Sequence, residues 1–209
     1  MTIEEPSCLP TSVAPQPILI VISGPSAVGK DAVLQRMKER QLPFHFVITT
    51  TDRPPRPTET PGVDYFFITT AEFEDLIARG ELLEYARVYS DYKGIPKDQI
   101  RQALASGKDV VLRIDVQGAA TVRRLCPDAL LIFLTAEEEE LCRRIRQRKL
   151  DTPAEIERRL QAACAELDAV GQFDFVIWNH EGRLDHTVDV IAAIITSEHH
   201  RVTPRKVTL

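Results

Sequence analysis

The sequence predicts an α/β protein in which helices cover both faces of a parallel sheet, and three observations support this fold class. Apolar runs recur along the chain, helical patterns separate them, and a glycine-rich turn directly follows the first run. Continuous apolar runs are typical of strands that are buried on both faces. Strands that alternate with helices imply parallel pairing through crossovers. We therefore expect a three-layer sandwich.

Four apolar runs predict the strands of the central sheet. A helix is expected over residues 31–40, directly after the first run, and another over residues 184–197, after the last. Each run is short and lacks polar alternation, as in a strand covered from both sides. The predicted strands are residues 18–22, 110–114, 130–134 and 175–178.

Capping signals predict two helices between the third and fourth strands. Thr135 and Glu138 have the spacing of a capping box, which predicts a helix start at this point. Thr152 precedes Pro153, and proline is favoured at the first helical position. The helix after Pro153 is expected to bury one apolar stripe. Its members are Ile156, Leu160, Ala163, Leu167 and Val170.

Three segments break the alternation. Residues 1–17 hold four of the 14 prolines and no apolar period, which predicts a disordered leader. Residues 47–95 hold four prolines and several aromatics, and they are expected to form an inserted subdomain with its own short strands. Residues 198–209 are expected to be a flexible basic tail. The core is then predicted to comprise residues 18–46 and 96–197.

The composition excludes several classes of protein. The chain has 209 residues with a formal charge of −5, which argues against a protein that coats nucleic acid or an anionic membrane. No apolar run approaches the roughly 18 residues of a membrane helix, and no signal peptide is visible. The four cysteines are widely spaced, so we expect packing residues in a reducing compartment, with the cytoplasm as the location.

A phosphate-binding loop is predicted where the first strand meets the first helix. The residues there fit G-x-x-x-x-G-K, and successive backbone N–H groups at a helix start attract anions. Lys30 adds a full positive charge. Asp31 stands where serine or threonine is expected, and its carboxylate is a candidate ligand for Mg²⁺. The loop consists of Gly24, Pro25, Ser26, Ala27, Val28, Gly29 and Lys30.

The insert holds a second set of anion-binding side chains. Arg53 and Arg56 flank two prolines, and Tyr65 follows nine residues later. Two guanidinium groups and a phenol can clamp a phosphate that is to accept a group. Glu84 lies after a short helix, for which Thr69 and Glu72 predict the capping box.

In these fragments the chain resembles the guanylate kinases, which phosphorylate GMP with ATP, over roughly residues 17–197. The phosphate loop, the segments 49–59 and 62–65, and Glu84 match in order, and so do further motifs in the C-terminal half. These further matches are I-D-V-Q-G at 114–118, R-x-x-x-R at Arg144 and Arg148, R-L-Q-A-A at 159–163, and Asn179.

The resemblance implies roles for individual residues. Lys30, Arg144, Arg148 and Arg159 would be catalytic, with a helical lid at about residues 142–157 that closes over ATP. Asn179 would lie near the adenine. The resemblance also implies Mg²⁺ bound with ATP, for which Asp31 and Asp115 are candidate ligands. The implied GMP site comprises Thr49, Arg53, Arg56, Tyr65, Glu84, Lys93 and Asp115.

The chemistry of guanine supports this assignment of Glu84. Guanine presents two donors, N1–H and the N2 amino group, that one carboxylate can accept together. Adenine lacks both, so AMP would leave the Glu84 carboxylate unpaired, and sites of this kind discriminate steeply. The acceptor is an anionic phosphate oxygen, so the transfer needs positioning and charge neutralisation rather than a general base.

Five residues depart from the family pattern. Asp31 replaces a hydroxyl residue, and Ala27 replaces a loop glycine, which strains the backbone if φ is positive there. Lys93 replaces a tyrosine and can still bind phosphate as a point charge. Ile95 cannot hydrogen-bond guanine. Arg113 stands in place of an acid, and Asp31 is a candidate partner for it.

Two alternative functions remain open on the sequence. A ribose 1,5-bisphosphate phosphokinase would share Asp31 but would have no base for Glu84 to bind. A non-catalytic guanylate-kinase-like binding domain would lose Lys30 and the arginines of the lid, which are present here. The sequence leaves open whether the chain is a monomer or a homodimer. The expected partners are small nucleotides, with no nucleic acid or membrane.

Overall fold

The computed structural model describes residues 16–56, 59–88, 91–146 and 153–209. The predicted leader at residues 1–17 lies almost wholly outside these ranges, and Arg148 and Thr152 lie outside them too. Among the described helices, none combines the length and the apolar character that crossing a bilayer would require.

A five-stranded sheet forms the centre of the fold, and every strand pair in it is parallel. Its strands are β1 (Leu19–Ser23), β2 (His45–Phe46), β7 (Val110–Arg113), β8 (Leu130–Thr135) and β9 (Phe175–Trp178). Their order across the sheet is β2-β7-β1-β8-β9, so β1 lies in the middle. The predicted α/β fold class is confirmed, and the four predicted strands lie within two residues of the observed bounds.

The chain between β2 and β7 builds a second sheet of four strands. Its strands are β3 (Thr50–Thr51), β4 (Phe66–Phe67), β5 (Leu82–Val88) and β6 (Asp91–Pro96). Their order is β4-β3-β6-β5, with β3 and β4 parallel and the other pairs antiparallel. The strands of this sheet lie in the aromatic and proline-rich segment, residues 47–95, that was predicted to have its own short strands, although β6 extends one residue further, to Pro96.

Seven helices accompany the two sheets in the described part of the chain. They are α1 (Lys30–Glu39), α2 (Thr70–Ala78), α3 (Lys97–Ala105), α4 (Val116–Leu125), α5 (Glu138–Arg146), α6 (Pro153–Leu167) and α7 (Leu184–Glu198). The capping box of Thr69 and Glu72 forms at the start of α2, as predicted. Pro153 is the first residue of α6, also as predicted.

Both faces of the central sheet are covered by apolar side chains. Along β1, Ile20 and Ile22 face a cluster that includes residues of α1 and α7. Leu19 and Val21 face the opposite cluster, built with residues of α3 and α4. This alternation explains why the first four residues of β1 are apolar, since each is fully buried on one face or the other; the fifth, Ser23, is a buried polar residue.

Three local predictions were wrong. Thr135 is the last residue of β8, and α5 begins only at Glu138, so the expected capping box does not form. α6 ends at Leu167, and Val170 lies in a following 3-10 turn with its side chain exposed. Cys126 is buried, as expected of a packing cysteine, but Cys164 is exposed.

The C-terminal residues, expected to form a flexible basic tail, make ion pairs and apolar contacts with the core in this structure. The Arg205 guanidinium is nearly buried between Glu198 and Asp174, with its Nε 2.7 Å from Glu198 Oε2. Val207 and Leu209 pack against the apolar cluster that includes α3 and α4. Paired charges and apolar contacts thus hold residues that the sequence presents only as a basic segment.

Candidate functional site

A cleft of about 730 Å³ opens at the carboxyl ends of β1 and β7. In an open parallel sheet this is the edge where ligands bind, next to the central strand. The cleft joins the phosphate loop to the second sheet. Its lining includes Ser26 to Ala32, Thr49, Tyr65, Glu84, Ala86, Lys93, Arg113 to Asp115, Arg144 and Arg159.

The phosphate loop needs its two glycines for steric reasons. Gly24 has φ +137°, and a Cβ there would lie 2.2 Å from the carbonyl oxygen of Leu134. Gly29 has φ +100° and precedes α1, whose first residue is Lys30. The Lys30 ammonium donates to the carbonyls of Gly24 and Pro25, at 2.5 and 3.1 Å. It therefore lies over the loop, where a bound phosphate would meet it.

Ala27 carries the backbone strain that its position predicts. Its φ is +65°, in the left-handed region that favours glycine. A residue with a Cβ costs roughly 1–2 kcal/mol in that conformation. The surrounding loop holds Ala27 there, because the neighbouring Val28 N–H donates to the carbonyl of Pro25 and the Val28 carbonyl accepts from Asn179.

Asn179, expected near the adenine, contacts the backbone of the phosphate loop. Its side chain is buried, and the amide nitrogen donates to the carbonyl of Val28 at 2.8 Å. The amide oxygen accepts from the hydroxyl of Thr187 at 2.9 Å. Because both polar groups of the side chain bond to the protein, Asn179 positions the loop. Trp178, expected in the core, is 48% exposed and stacks on His180.

Two of the three predicted catalytic arginines reach the loop. Arg144 of α5 donates to the carbonyl of Val28 at 3.0 Å and pairs with Glu140. Arg159 of α6 lies 3.5 Å from the hydroxyl of Ser26. Arg148 lies outside the described residues. Two separate helices thus bring guanidinium groups to the point where donor phosphates would bind.

Asp31 and Arg113 form an ion pair across the cleft. Asp31 follows Lys30 at the start of α1, and Arg113 ends β7, so the pair joins the first turn of the helix to the carboxyl end of the strand beside β1. Burial lowers the pKa of Arg113. The candidate partner named from the sequence is therefore the observed one, and the guanidinium neutralises the carboxylate beside the loop.

Glu84 is the carboxyl group most altered by its surroundings in the described cleft. It lies on β5, and burial together with the negative charge of Asp115 raises its pKa to about 7. The ionised form of Glu84 is disfavoured because the carboxyl group is partly removed from water and a second negative charge lies near it. It is thus prepared to accept a pair of hydrogen-bond donors from a ligand.

Asp115 and Gly118 shape the space around Glu84. Asp115 caps α4, where its Oδ1 accepts the N–H of Gly118 at 2.8 Å. A Cβ on Gly118 would lie 3.3 Å from the carboxyl carbon of Glu84 and 3.2 Å from Ile114. Gly118 is therefore the residue that makes room for the Glu84 carboxyl group, a role that the sequence analysis missed.

Three cations cluster beside the second sheet, namely Lys93, Arg53 and Arg56. Of these three, Lys93 alone lines the cleft. Burial and the positive charges of Arg53 and Arg56 lower the pKa of Lys93. The Lys93 ammonium lies 5.7 Å from the centre of the Tyr65 ring, and the Arg53 guanidinium lies 4.9 Å from it. Cations packed this closely favour an anion, which would relieve their mutual repulsion.

Arg53 and Arg56, expected to hold an acceptor phosphate, lie outside the lining of the cleft in this structure. Arg53 makes a two-pronged ion pair with Glu59, at 2.6 and 2.8 Å. That bond, aided by the N–H of Arg56, lowers the pKa of Glu59 to about 2. Arg56 is exposed. The guanidinium of Arg53 is therefore neutralised in the absence of a ligand.

Ile95 does not face the cleft. It is 2% exposed and packs in the cluster with Leu83 and Ile100. In β6 it pairs with Glu84 of β5, so its backbone supports the strand that carries that carboxyl group. Ile95, which cannot hydrogen-bond guanine, is thus a core residue and not part of the cleft lining.

Three acidic residues escaped the sequence analysis. Glu59 neutralises Arg53, Glu140 pairs with Arg144, and Glu166 accepts the backbone N–H of Ser26 at 2.9 Å. One sequence signal exists for Glu166, because it lies seven residues after Arg159 on the same helix and so shares its face. Glu140 likewise lies four residues before Arg144.

The comparisons with known proteins agree with one family. The family model described as guanylate kinase matches residues 16–198. Guanylate kinase 2, chloroplastic/mitochondrial, from Oryza sativa subsp. japonica is 48% identical over 96% of this chain and 71% of its own length. The guanylate kinase of Bacillus subtilis is 44% identical over 90% of this chain and 94% of its own. The crystal structure of guanylate kinase from Anaplasma phagocytophilum has a TM-score of 0.70 at 26% identity, covering 90% of this chain and 89% of that one.

Proposed function

The chain belongs to the guanylate kinase family, and we propose that the cleft between its phosphate loop and Glu84 transfers the γ-phosphoryl group of ATP to GMP, giving ADP and GDP. The observation that carries this proposal is that one cleft holds both a phosphate loop and a desolvated carboxyl group. The first suits a nucleoside triphosphate and the second suits a purine with two adjacent donors.

Glu84 is the proposed reader of guanine. Its ionised carboxylate accepts N1–H and the N2 amino group of the base, and these two bonds offset the cost of burying the charge. The hydroxyl of Thr49 lines the same cleft and is proposed to assist with the base. Burial and the negative charge of Asp115 raise the pKa of Glu84, and the two donors of a bound guanine would favour its ionised form.

The acceptor phosphate is proposed to bind to Lys93 and Tyr65, which line the cleft, and to Arg53 and Arg56 behind them. Arg53 is held by Glu59 without ligand, so the phosphate has to draw on a guanidinium that is already paired. Glu59 forms its ion pair with Arg53 and not with Lys93, so the ammonium of Lys93 can bind the phosphate without displacing that carboxylate. We therefore assign Lys93 the largest share of the acceptor-phosphate charge.

The donor phosphates are proposed to bind along the backbone N–H groups of residues 26–30. Lys30, Arg144 and Arg159 surround this loop and offset the charge that spreads over the transferred group. The acceptor oxygen is already anionic, so the residues position the two phosphates in line and no proton has to be removed. Arg148 is proposed to join this set.

Magnesium fits the oxygen donors of the cleft if the nucleotide supplies most of its ligands. Among the described residues no group of three or more His, Cys, Asp or Glu side chains could hold a metal by itself. Asp31 and Asp115 line the cleft and are the proposed protein contacts. When bound with ATP, Mg²⁺ neutralises charge on the β- and γ-phosphates. The role of Arg113 is to keep the extra charge of Asp31 from repelling those phosphates.

A single assay separates this function from the alternatives. Purified protein with ATP and Mg²⁺ is supplied with GMP, AMP or ribose 1,5-bisphosphate, and ADP formation is measured. We expect rapid turnover with GMP only, since the other two acceptors leave Glu84 without its donors. Turnover of ribose 1,5-bisphosphate in preference to GMP, or none with any acceptor, would contradict the proposal. The oligomeric state and the cytoplasmic location stay predictions from the sequence.

A further inference from the structure

Glu166 of α6 contacts the phosphate loop, and nothing in the proposed reaction uses it. Its Oε2 accepts the backbone N–H of Ser26 at 2.9 Å. Backbone N–H groups of such a loop are the donors that a phosphate oxygen takes. In this structure a carboxylate of the protein itself thus occupies one of them.

Glu166 lies among the same charges that a bound phosphate would meet. Burial raises the pKa of its carboxyl group, while the bond from Ser26 and the charge of Lys30 oppose that effect. The negative charge of Asp115 also raises the pKa of Glu166. The carboxyl group is therefore held by an N–H that would otherwise hold a phosphate oxygen, and it feels the charge of the same ammonium.

Helix geometry places a cation beside this anion. Arg159 lies seven residues before Glu166, which is two turns along one helical face. Its guanidinium is 3.5 Å from the hydroxyl of Ser26. α6 therefore presents a positive and a negative group to the same loop residue, and an incoming phosphate is attracted by the one and opposed by the other.

We propose that Glu166 is a positioning residue that competes with the phosphates of ATP for the Ser26 N–H, so that the loop is closed to weak anions and opens to a triphosphate. The inference rests on the proposed function, because it requires ATP to bind at this loop. An exchange of one anion for another keeps the loop donor satisfied both with and without nucleotide. The cost is a weaker affinity for the nucleotide.

Titration calorimetry with a non-hydrolysable ATP analogue tests the proposal. Glu166→Gln keeps an oxygen that can accept the N–H but removes the charge, and Glu166→Ala removes both. We expect the analogue to bind about tenfold tighter to Glu166→Gln, since a charge-assisted hydrogen bond is roughly twice as strong as a neutral one. GMP affinity should stay within about twofold of the wild type. Glu157→Gln, an exposed position on the same helix, is the matched control and should change neither affinity.

A second readout distinguishes competition from a purely structural role. Inorganic phosphate should inhibit Glu166→Gln at lower concentration than the wild type, competitively with ATP. Unchanged or weaker binding of the analogue by folded Glu166→Gln and Glu166→Ala would overturn the inference while the wild type still converts GMP to GDP. A wild type that makes no GDP would instead refute the proposed function.

Discussion

Replacement of Glu84 by glutamine should stabilise the protein while it weakens GMP recognition. Burial and Asp115 raise the pKa of Glu84 from 4.5 to about 7. Each pKa unit corresponds to about 1.4 kcal/mol, so the ionised carboxyl costs the folded state about 3 kcal/mol at pH 8. Water in the cleft screens part of this cost, and we expect Glu84→Gln to gain about 2 kcal/mol.

The pH dependence of that gain gives the sign of the effect. The folded protein binds the Glu84 proton more tightly than the unfolded chain, so the wild type loses stability as the pH rises from about 4.5 to 7. Urea unfolding followed by circular dichroism should therefore show a difference of about 2 kcal/mol at pH 8 that falls below about 1 kcal/mol at pH 5.

Glu74→Gln provides the control for this experiment. Glu74 is exposed on α2, so its substitution should change the free energy of unfolding by less than about 0.5 kcal/mol at either pH. Addition of GMP should stabilise the wild type more than Glu84→Gln, since the variant loses the carboxylate that binds the base. If Glu84→Gln were no more stable than the wild type at pH 8, the desolvation argument would be refuted.

Four further predictions follow from the site. In steady-state kinetics the KM for GMP should rise as the pH falls through about 7, because protonated Glu84 cannot accept two donors, and a KM for GMP that does not change over that range would contradict its role. Gly118→Ala should raise the KM for GMP about tenfold with little change for ATP, because its Cβ crowds the Glu84 carboxyl; an unchanged KM would show that the group can shift. Ala27→Gly should raise the free energy of unfolding by roughly 0.5–1 kcal/mol, measured in urea, and a loss would mean that chain entropy outweighs the relieved strain. Asn179→Ala should cost about 2 kcal/mol or more and weaken ATP binding, since it leaves the Val28 carbonyl and the Thr187 hydroxyl unpaired; full stability would contradict its role as a support of the loop.

The central sheet could be predicted from the sequence because its signal is local. A strand buried on both faces is apolar at nearly every position, and β1, whose first four residues are apolar and fully buried, can be predicted for that reason. Trp178 shows the limit of the rule, since β9 is an edge strand and its apolar residues are largely exposed. Whether an apolar residue is buried depends on the position of its strand in the sheet. The local sequence pattern does not contain that information.

The candidate site was predictable where a motif fixes the backbone and less so where partners come from far along the chain. Gly24, Gly29 and Lys30 lie where their spacing predicts. The environment of Asn179 depends on Thr187 and Val28, and that of Ser26 depends on Glu166, 140 residues away. Such contacts are set by helix packing against the loop and leave no sequence signal at the loop itself.

Charge partners explain the remaining differences. Arg53 has the residue type expected of an acceptor-phosphate ligand, yet Glu59 holds it when no ligand is bound. Asp31 looks unfavourable beside phosphates until Arg113 is placed opposite it. The C-terminal residues look like a solvated basic segment until Glu198 and Asp174 are found around Arg205. In each case the sequence shows one charge and the fold supplies the other.

The ratio of kcat/KM for GMP to that for AMP, measured for the wild type and for Glu84→Gln, tests the central claim most directly. A buried carboxylate that meets two guanine donors should favour GMP over AMP by several orders of magnitude. Glu84→Gln should lose most of that preference, mainly through GMP. A wild type that uses AMP as well as GMP, or a variant that keeps the full preference, would contradict the account.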